Sequence, residues 1–226
     1  MPSPRFVFPP ETLQFLAELG AHNDKAWFTA NRDRYQAAYL DPATALVLIV
    51  GPALQDLIPG IAAEPRVNGS IFRINRDTRF SKDKTPYKAH LDFWFWEGDR
   101  KDAVSGLFLR IAPAGITVGA GAHGFDRSRL ARYRAAVADP TAGRELAAAV
   151  TRLQRRGHEI GGETYTRIPR GFSVDADCER LLRHSALYAH AQLTAALATE
   201  PELVPKLMKL WRAFVPLHAW LTTHVE

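Results

Sequence analysis

Between Phe72 and His90 the chain reads FRINRDTRFSKDKTPYKAH, with Arg73, Arg76, Arg79, Lys82, Lys84 and Lys88 set against only two carboxylates, Asp77 and Asp83. Arginines at every third position, followed by lysines, suit recognition of phosphate or carboxylate, because the planar guanidinium donates two parallel hydrogen bonds to either group. These six cations form a candidate ligand-binding set, with Asp77, Asp83, Ser81 and Tyr87 in support. The same residues admit a structural reading, in which Asp77 and Asp83 hold Arg76, Arg79 and Lys84 in an ion-pair network that orders a long connection between strands. Ser81 lies outside any GxSxG turn and reads as a cap for its own loop.

Proton transfer has its own candidates. His90 and Asp92 fall two residues apart on one strand face beside Lys88, and Arg73 and Arg110 can join them from neighbouring strands. A histidine with an adjacent carboxylate can move protons near neutral pH, and it can equally be a satisfied polar contact on a sheet. Trp94 and Trp96, interleaved with phenylalanines beside basic residues, allow base stacking or core packing. The eight histidines show neither HExxH nor HxH, so no metal is expected. No GxxxxGK[ST] or helix-opening GxGxxG is present, and GAGAHG at 119–124 reads as a tight turn from sheet to helix. Cys178 stands alone, without a partner for an internal disulfide.

The elements that must hold these residues follow from periodicity. Pro9 and Pro10 open a helix with Leu13, Leu16 and Leu19 on one face, closed by Gly20; Asn23 or Asp24 caps the next, which Asp41–Pro42 interrupts or kinks. After Gly60 the period becomes two, predicting strands at Ser70–Asn75, Tyr87–Trp96, Val104–Ile111 and Ile116–Gly121. In the second strand Tyr87, Ala89, Leu91, Phe93 and Phe95 face the core, and Lys88, His90, Asp92, Trp94 and Trp96 the other side. From Asp126 two helices follow, divided by Asp139–Pro140 and stopped by Gly157. After them come a strand at Ile160–Ile168, a short helix at Asp177–His184, an extended Ala186–Leu193, and a last helix bent at Pro216 with a Thr199–Glu202 capping box. The expected architecture is one α+β domain over 1–226: helical at 9–59, an antiparallel meander with the basic loop at 63–121, and helices with short strands at 126–226.

The 226 residues, 46% hydrophobic, suffice for one sizeable core. A formal charge of +5 favours anionic partners without demanding nucleic acid. The best apolar run, Ala43–Leu54, is too short to span a bilayer, and MPSPRFVFPP lacks a signal peptide's apolar core, so a cytoplasmic protein is expected.

The central motif, together with FPPETLQFLAELGAHNDKAWFTANRDRY and GGETYTRIPRGF, resembles the family catalogued as domain of unknown function 2461 over nearly the whole chain. The resemblance implies a single α+β domain and assigns no activity. It adds Asn23, Asp24, Trp27, Phe28, Glu163, Arg170, Gly171 and Phe172 to the central positions, with Glu163 joining His90 and Asp92 as a proton-transfer candidate and Arg170 as a supporting residue. The family pattern has Trp and Pro at His123 and Phe125, a small residue at Asp92 and a Lys near Ser185; a pocket lined by those positions would take a different ligand here. Three functions stay open: binding of a phosphorylated or carboxylated small molecule, binding of nucleic acid through the basic loop and aromatics, and a non-catalytic scaffold.

Overall fold

The computed structural model describes residues 5–172 and 174–226, so four N-terminal residues and residue 173 of the expected 1–226 domain lie outside it. Proline at the start of α1 (Pro10–Ala21) has no amide to leave unbonded, and Thr12, Phe15, Leu16 and Leu19 make the buried stripe. Asp24, not Asn23, caps α2 (Lys25–Ala30), its carboxylate accepting the Trp27 amide at 2.9 Å. After α3 (Arg32–Tyr35) comes one wide π turn, Gln36–Leu40, and then α4 (Asp41–Leu57). Asp41–Pro42 does not break the helix. The Asp41 amide reaches back five residues to the Gln36 carbonyl, and the wider turn carries the chain past a proline that a regular turn would reject.

Residues Arg32–Leu57 are long and apolar enough to cross a membrane by length and composition, a match the shorter run Ala43–Leu54 does not suggest. Half of that window is buried inside the protein, and Ala43, Leu46, Val47, Val50 and Leu54 lie in the core.

The strands are β1 (Ile61–Ala62), β2 (Leu91–Glu97), β3 (Gly106–Ala112), β4 (Gly115–Ala122), β5 (Glu159–Glu163) and β6 (His184–Leu193). They form one open antiparallel sheet in the order β1-β2-β3-β4-β6-β5, confirming the α+β class. The expected strand at Ser70–Asn75 shrinks to bridges. Ile71 pairs with Phe93 and Asn75 with Tyr87, leaving three residues between the bridges on one side and five on the other, so no regular ladder closes. Alternation in β2 is as expected for Leu91, Phe93 and Phe95, which are buried, and for Asp92 and Trp94, which are half-buried; Trp96 is buried as well.

Asp126 caps α5 (Arg127–Ala138) and Asp139 caps α6 (Pro140–Arg155), so the division at Asp139–Pro140 stands as read. The short helix α7 (Ala176–Glu179) continues as a 3-10 turn at Leu181–Arg183. The last helix, α8 (Leu203–Val225), runs through Pro216 with Leu203, Leu207, Trp211, Phe214, Leu217 and Leu221 fully buried. Its expected capping box does not form. The 3-10 turn Ala195–Thr199 claims the Thr199 hydroxyl, which donates to the Ala196 carbonyl at 3.0 Å, and α8 starts with the Leu203 amide on the Glu200 carbonyl.

Two compact units emerge from the chain. The first holds residues up to Phe95 with Phe108–Val118 and Gln192–Lys209; the second holds Trp96–Leu107, Gly119–Ala191 and Leu210–Glu226. Phe15, Leu16, Tyr39, Leu46, Phe93 and Leu109 centre the core of the first, and Tyr133, Leu146, Leu187, Trp211 and Phe214 that of the second. In the second, the GAGAHG segment is mostly strand: a Cβ on Gly121 (φ 132°) would sit 2.3 Å from the Leu187 carbonyl, so glycine there allows two strands to approach.

Candidate functional site: a basic loop and a polar sheet face

The loop after Asn75 is tied to α2 through one side chain. Asn23, freed from capping, donates to the Tyr87 carbonyl at 2.9 Å and accepts the Tyr87 amide at 3.0 Å, as a neighbouring strand would. Phe28 stacks on the Tyr87 ring with centroids 4.2 Å apart. Two of the segments that the sequence singles out separately are therefore one packed joint.

Within the loop most of the charge closes on itself. One Arg76 nitrogen donates to the Asp83 carboxylate and to the Thr85 hydroxyl and carbonyl, while the Thr85 amide and hydroxyl donate to Asp83 at 2.9 and 2.8 Å. The Thr85 hydrogen bonds, backbone first, and then Arg76 hold the Asp83 pKa at about 2. Arg79 binds Asp77 through two parallel hydrogen bonds, 3.0 and 2.7 Å, lowering the Asp77 pKa, and Lys84 donates to the Thr78 carbonyl at 2.8 Å. Ser81 sends its amide to the Thr78 carbonyl at 3.3 Å. Three of the six candidate cations thus hold the loop in shape. Arg73 and Lys82 are exposed and make no hydrogen bond or ion pair with the described residues. At the loop tip Phe80 is 95% exposed, with the Arg79 guanidinium 5.7 Å from its ring centroid.

The sixth cation belongs to a different cluster. Lys88, His90 and Asp92 are all half-buried, but β2 starts at Leu91 and not at the expected Tyr87, so only Asp92 stands on the strand while Lys88 and His90 precede it in irregular backbone; Arg110 reaches across from β3. Arg110 donates to both Asp92 oxygens, at 2.7 and 3.1 Å; His90 Nε2 lies 3.1 Å from the same carboxylate and Lys88 Nζ 3.9 Å. Burial pushes the Asp92 pKa up, but hydrogen bonds from His90 and Arg110 outweigh it and hold the group at about 2. Asp92 therefore stays ionised, a weak base hydrogen-bonded to His90 and Arg110. Burial lowers the Lys88 pKa, Asp92 raises it, and Arg110 and Arg73 lower it further. Its ammonium also lies 4.9 Å from the Phe72 ring centroid. Trp94 on β2 and Phe108 on β3 are half-buried, as is Phe72, next to the Ile71 bridge.

Glu163 and Arg170 fall in the second unit. Glu163 pairs with Arg180 at 2.8 Å and Arg183 at 3.4 Å, and the Arg180 hydrogen bond lowers its pKa. Arg170 is exposed on a turn. The glycines before Glu163 serve packing: a Cβ on Gly161 would meet the Tyr188 ring at 2.3 Å, and one on Gly162 (φ 102°) the Ala186 carbonyl at 2.0 Å.

One cluster goes unread in the sequence because its members are far apart along the chain. His218 Nδ1 lies 2.9 Å from Ser105 Oγ, and its Nε2 lies 2.8 Å from the Glu97 carboxylate. These are the residue types of a hydrolytic triad, but Ser105 and His218 are both 1% exposed, so no substrate reaches them. Burial lowers the His218 pKa, with Glu97 opposing. Among the described residues no group of His, Cys, Asp and Glu has the arrangement of a metal site.

A sequence profile described as "Conserved hypothetical protein (DUF2461)" matches residues 11–220. No curated protein and no solved structure matches the chain.

Proposed function

We propose that this chain, which belongs to the DUF2461 family of conserved hypothetical proteins, binds a small phosphorylated or carboxylated molecule on the polar sheet face at Lys88, His90 and Arg110. One observation carries the reading: a single carboxylate, Asp92, serves Lys88, His90 and Arg110 on a half-open face, with the field of Arg73 reaching Lys88 as well. That leaves positive charge partly desolvated and incompletely balanced. An anion docked against Lys88 and the outer edge of Arg110 would supply the missing charge, and Phe72 and Trp94 offer ring surface beside it. Arg76, Arg79 and Lys84 then support the site by fixing the loop, with Arg73 and Lys82 left to meet ligand at its rim. The lone cysteine, a buried free thiol, supports placing the protein in the reducing cytoplasm.

Titration with pyrophosphate, citrate and a nucleoside monophosphate, followed by tryptophan fluorescence, tests this directly. Saturable binding by at least one of them is expected, weakened at least tenfold in Lys88→Gln and Arg110→Gln. Loss of equal size in Arg79→Gln would return the role to the loop arginines, and no binding by any of the three would remove the reading.

A second reading rests on Phe80. An almost fully exposed phenylalanine between Arg79 and Lys82 is the pattern that stacks single-stranded bases while cations meet the backbone. Under that reading a random oligonucleotide binds with a steep loss of affinity as salt rises, and Phe80→Ala weakens it.

A further inference from the structure

The second unit carries a hollow of about 180 Å³ between α6 and α8, lined by Arg152 of α6, Arg156 at its C-cap and Arg212 of α8, over Leu153, Ala213 and Pro216. We infer that this hollow is a second anion site, separate from the sheet face, that takes a single phosphate-type group: inorganic phosphate or the phosphate of a small monoester.

Arg152 in the last turn of α6 and Arg156 at its C-cap both border the hollow. Arg212 faces them across the apolar floor. No carboxylate lines the hollow, and none of the three guanidiniums makes a hydrogen bond or ion pair with the described residues. Arginines at a helix C-terminus commonly serve its free carbonyls, but that task is already done by the backbone. The Leu153 carbonyl accepts the Arg156 and His158 amides at 3.1 Å each, and the Gln154 carbonyl accepts the Gly157 amide at 2.9 Å. The three cations are thus left for an external partner. Their field is already felt nearby: burial lowers the His158 pKa, and Arg156 lowers it further.

Guanidinium forks match the oxygens of a phosphate better than a spherical halide, and three exposed positive charges around one hollow favour an ion carrying two negative ones. The volume sets the size. At about 180 Å³ the hollow falls below the roughly 300–1,000 Å³ of sites that enclose a whole drug-sized ligand, so it accepts a headgroup and leaves any organic part outside.

The test uses the full chain with Lys88→Gln and Arg110→Gln already in place, so that failure of the sheet-face reading leaves it intact. Inorganic phosphate and chloride are compared at equal ionic strength by thermal denaturation and calorimetric titration. Phosphate is expected to raise the melting temperature and bind with one-to-one stoichiometry. Adding Arg212→Gln or Arg156→Gln should weaken the affinity at least tenfold, while Arg155→Gln, on the same helical turn but outside the lining, should leave it within twofold. The proposal falls if phosphate acts no differently from chloride, if Arg212→Gln keeps the affinity, or if Arg155→Gln loses as much as the lining variants.

Discussion

At Asp92 a single carboxylate carries enough of the local electrostatics for its protonation to be read as stability. Its pKa in the folded protein, about 2, lies below the ordinary 3.8, because His90 and Arg110 hold the ionised form in place. A depressed carboxylate contributes stability that is fully present above pH 3.8 and is lost as the pH falls toward 2. A shift of nearly two units corresponds to about 2 kcal/mol at neutral pH. Asp92→Asn is therefore expected to cost about that much in urea denaturation at pH 7, and the gap to the parent should close between pH 4 and pH 2. A gap of constant size across that range would place the cost in lost shape and not in charge. Lys88 responds in the opposite sense: without Asp92 the cause that raises its pKa is gone, while burial and two guanidiniums continue to lower it.

Elements bear out the local grammar of the sequence where the signal is local. The proline start of α1, the division of α5 from α6 at Asp139–Pro140, and the alternation of Leu91 to Phe95 along β2 each depend on residues within one turn or one strand, so the sequence states them directly. It misleads where two local signals compete for the same atoms. Thr199 has a 3-10 turn behind it and a helix ahead, and the turn takes its hydroxyl; Asp41–Pro42 reads as an interruption or a kink, and the irregularity takes the form of a π turn just before it. It is silent where partners are distant, as for Asn23 with Tyr87 or His218 with Ser105. The candidate site divides along the same line: that Arg76, Arg79 and Lys84 close within the loop was legible, but which acceptor each takes, and that Lys84 turns to the Thr78 carbonyl in place of a carboxylate, depends on a folded loop. Gly161–Gly162 is a related case, a motif with a packing cause. An alanine at 162 would need both a positive φ and space that the Ala186 carbonyl occupies, so Gly162→Ala should destabilise by at least about 2 kcal/mol, read as a lower melting temperature, without loss of anion binding at the sheet face.

Over the whole molecule, acid sensitivity falls in two separate pH ranges. His158, His184 and His218 all lie in the second unit, and burial is the leading cause that lowers each pKa below the ordinary 6.5. The groups facing them are mixed: Arg156 lowers His158, while Glu163 raises and Arg180 lowers His184, and Glu97 and Glu226 raise His218. A base whose folded pKa is depressed binds its proton more readily when unfolded, so stability is fullest above pH 6.5 and declines as the pH drops below it. Asp92, in the first unit, adds its loss only below pH 3.8. The melting temperature should therefore already be lower at pH 5 than at pH 7, well before Asp92 titrates, and His218→Gln should reduce that slope even if it lowers the absolute value. We further propose that the loss is cooperative over 1–226, because the boundary between the units falls inside β2, β3, β4, β6 and α8, and no unit can unfold without cutting strands in mid-length. Calorimetry at pH 5 should then show one transition whose calorimetric and van't Hoff enthalpies agree; a second, earlier transition confined to residues 119–191 in hydrogen exchange would mean two domains and not one.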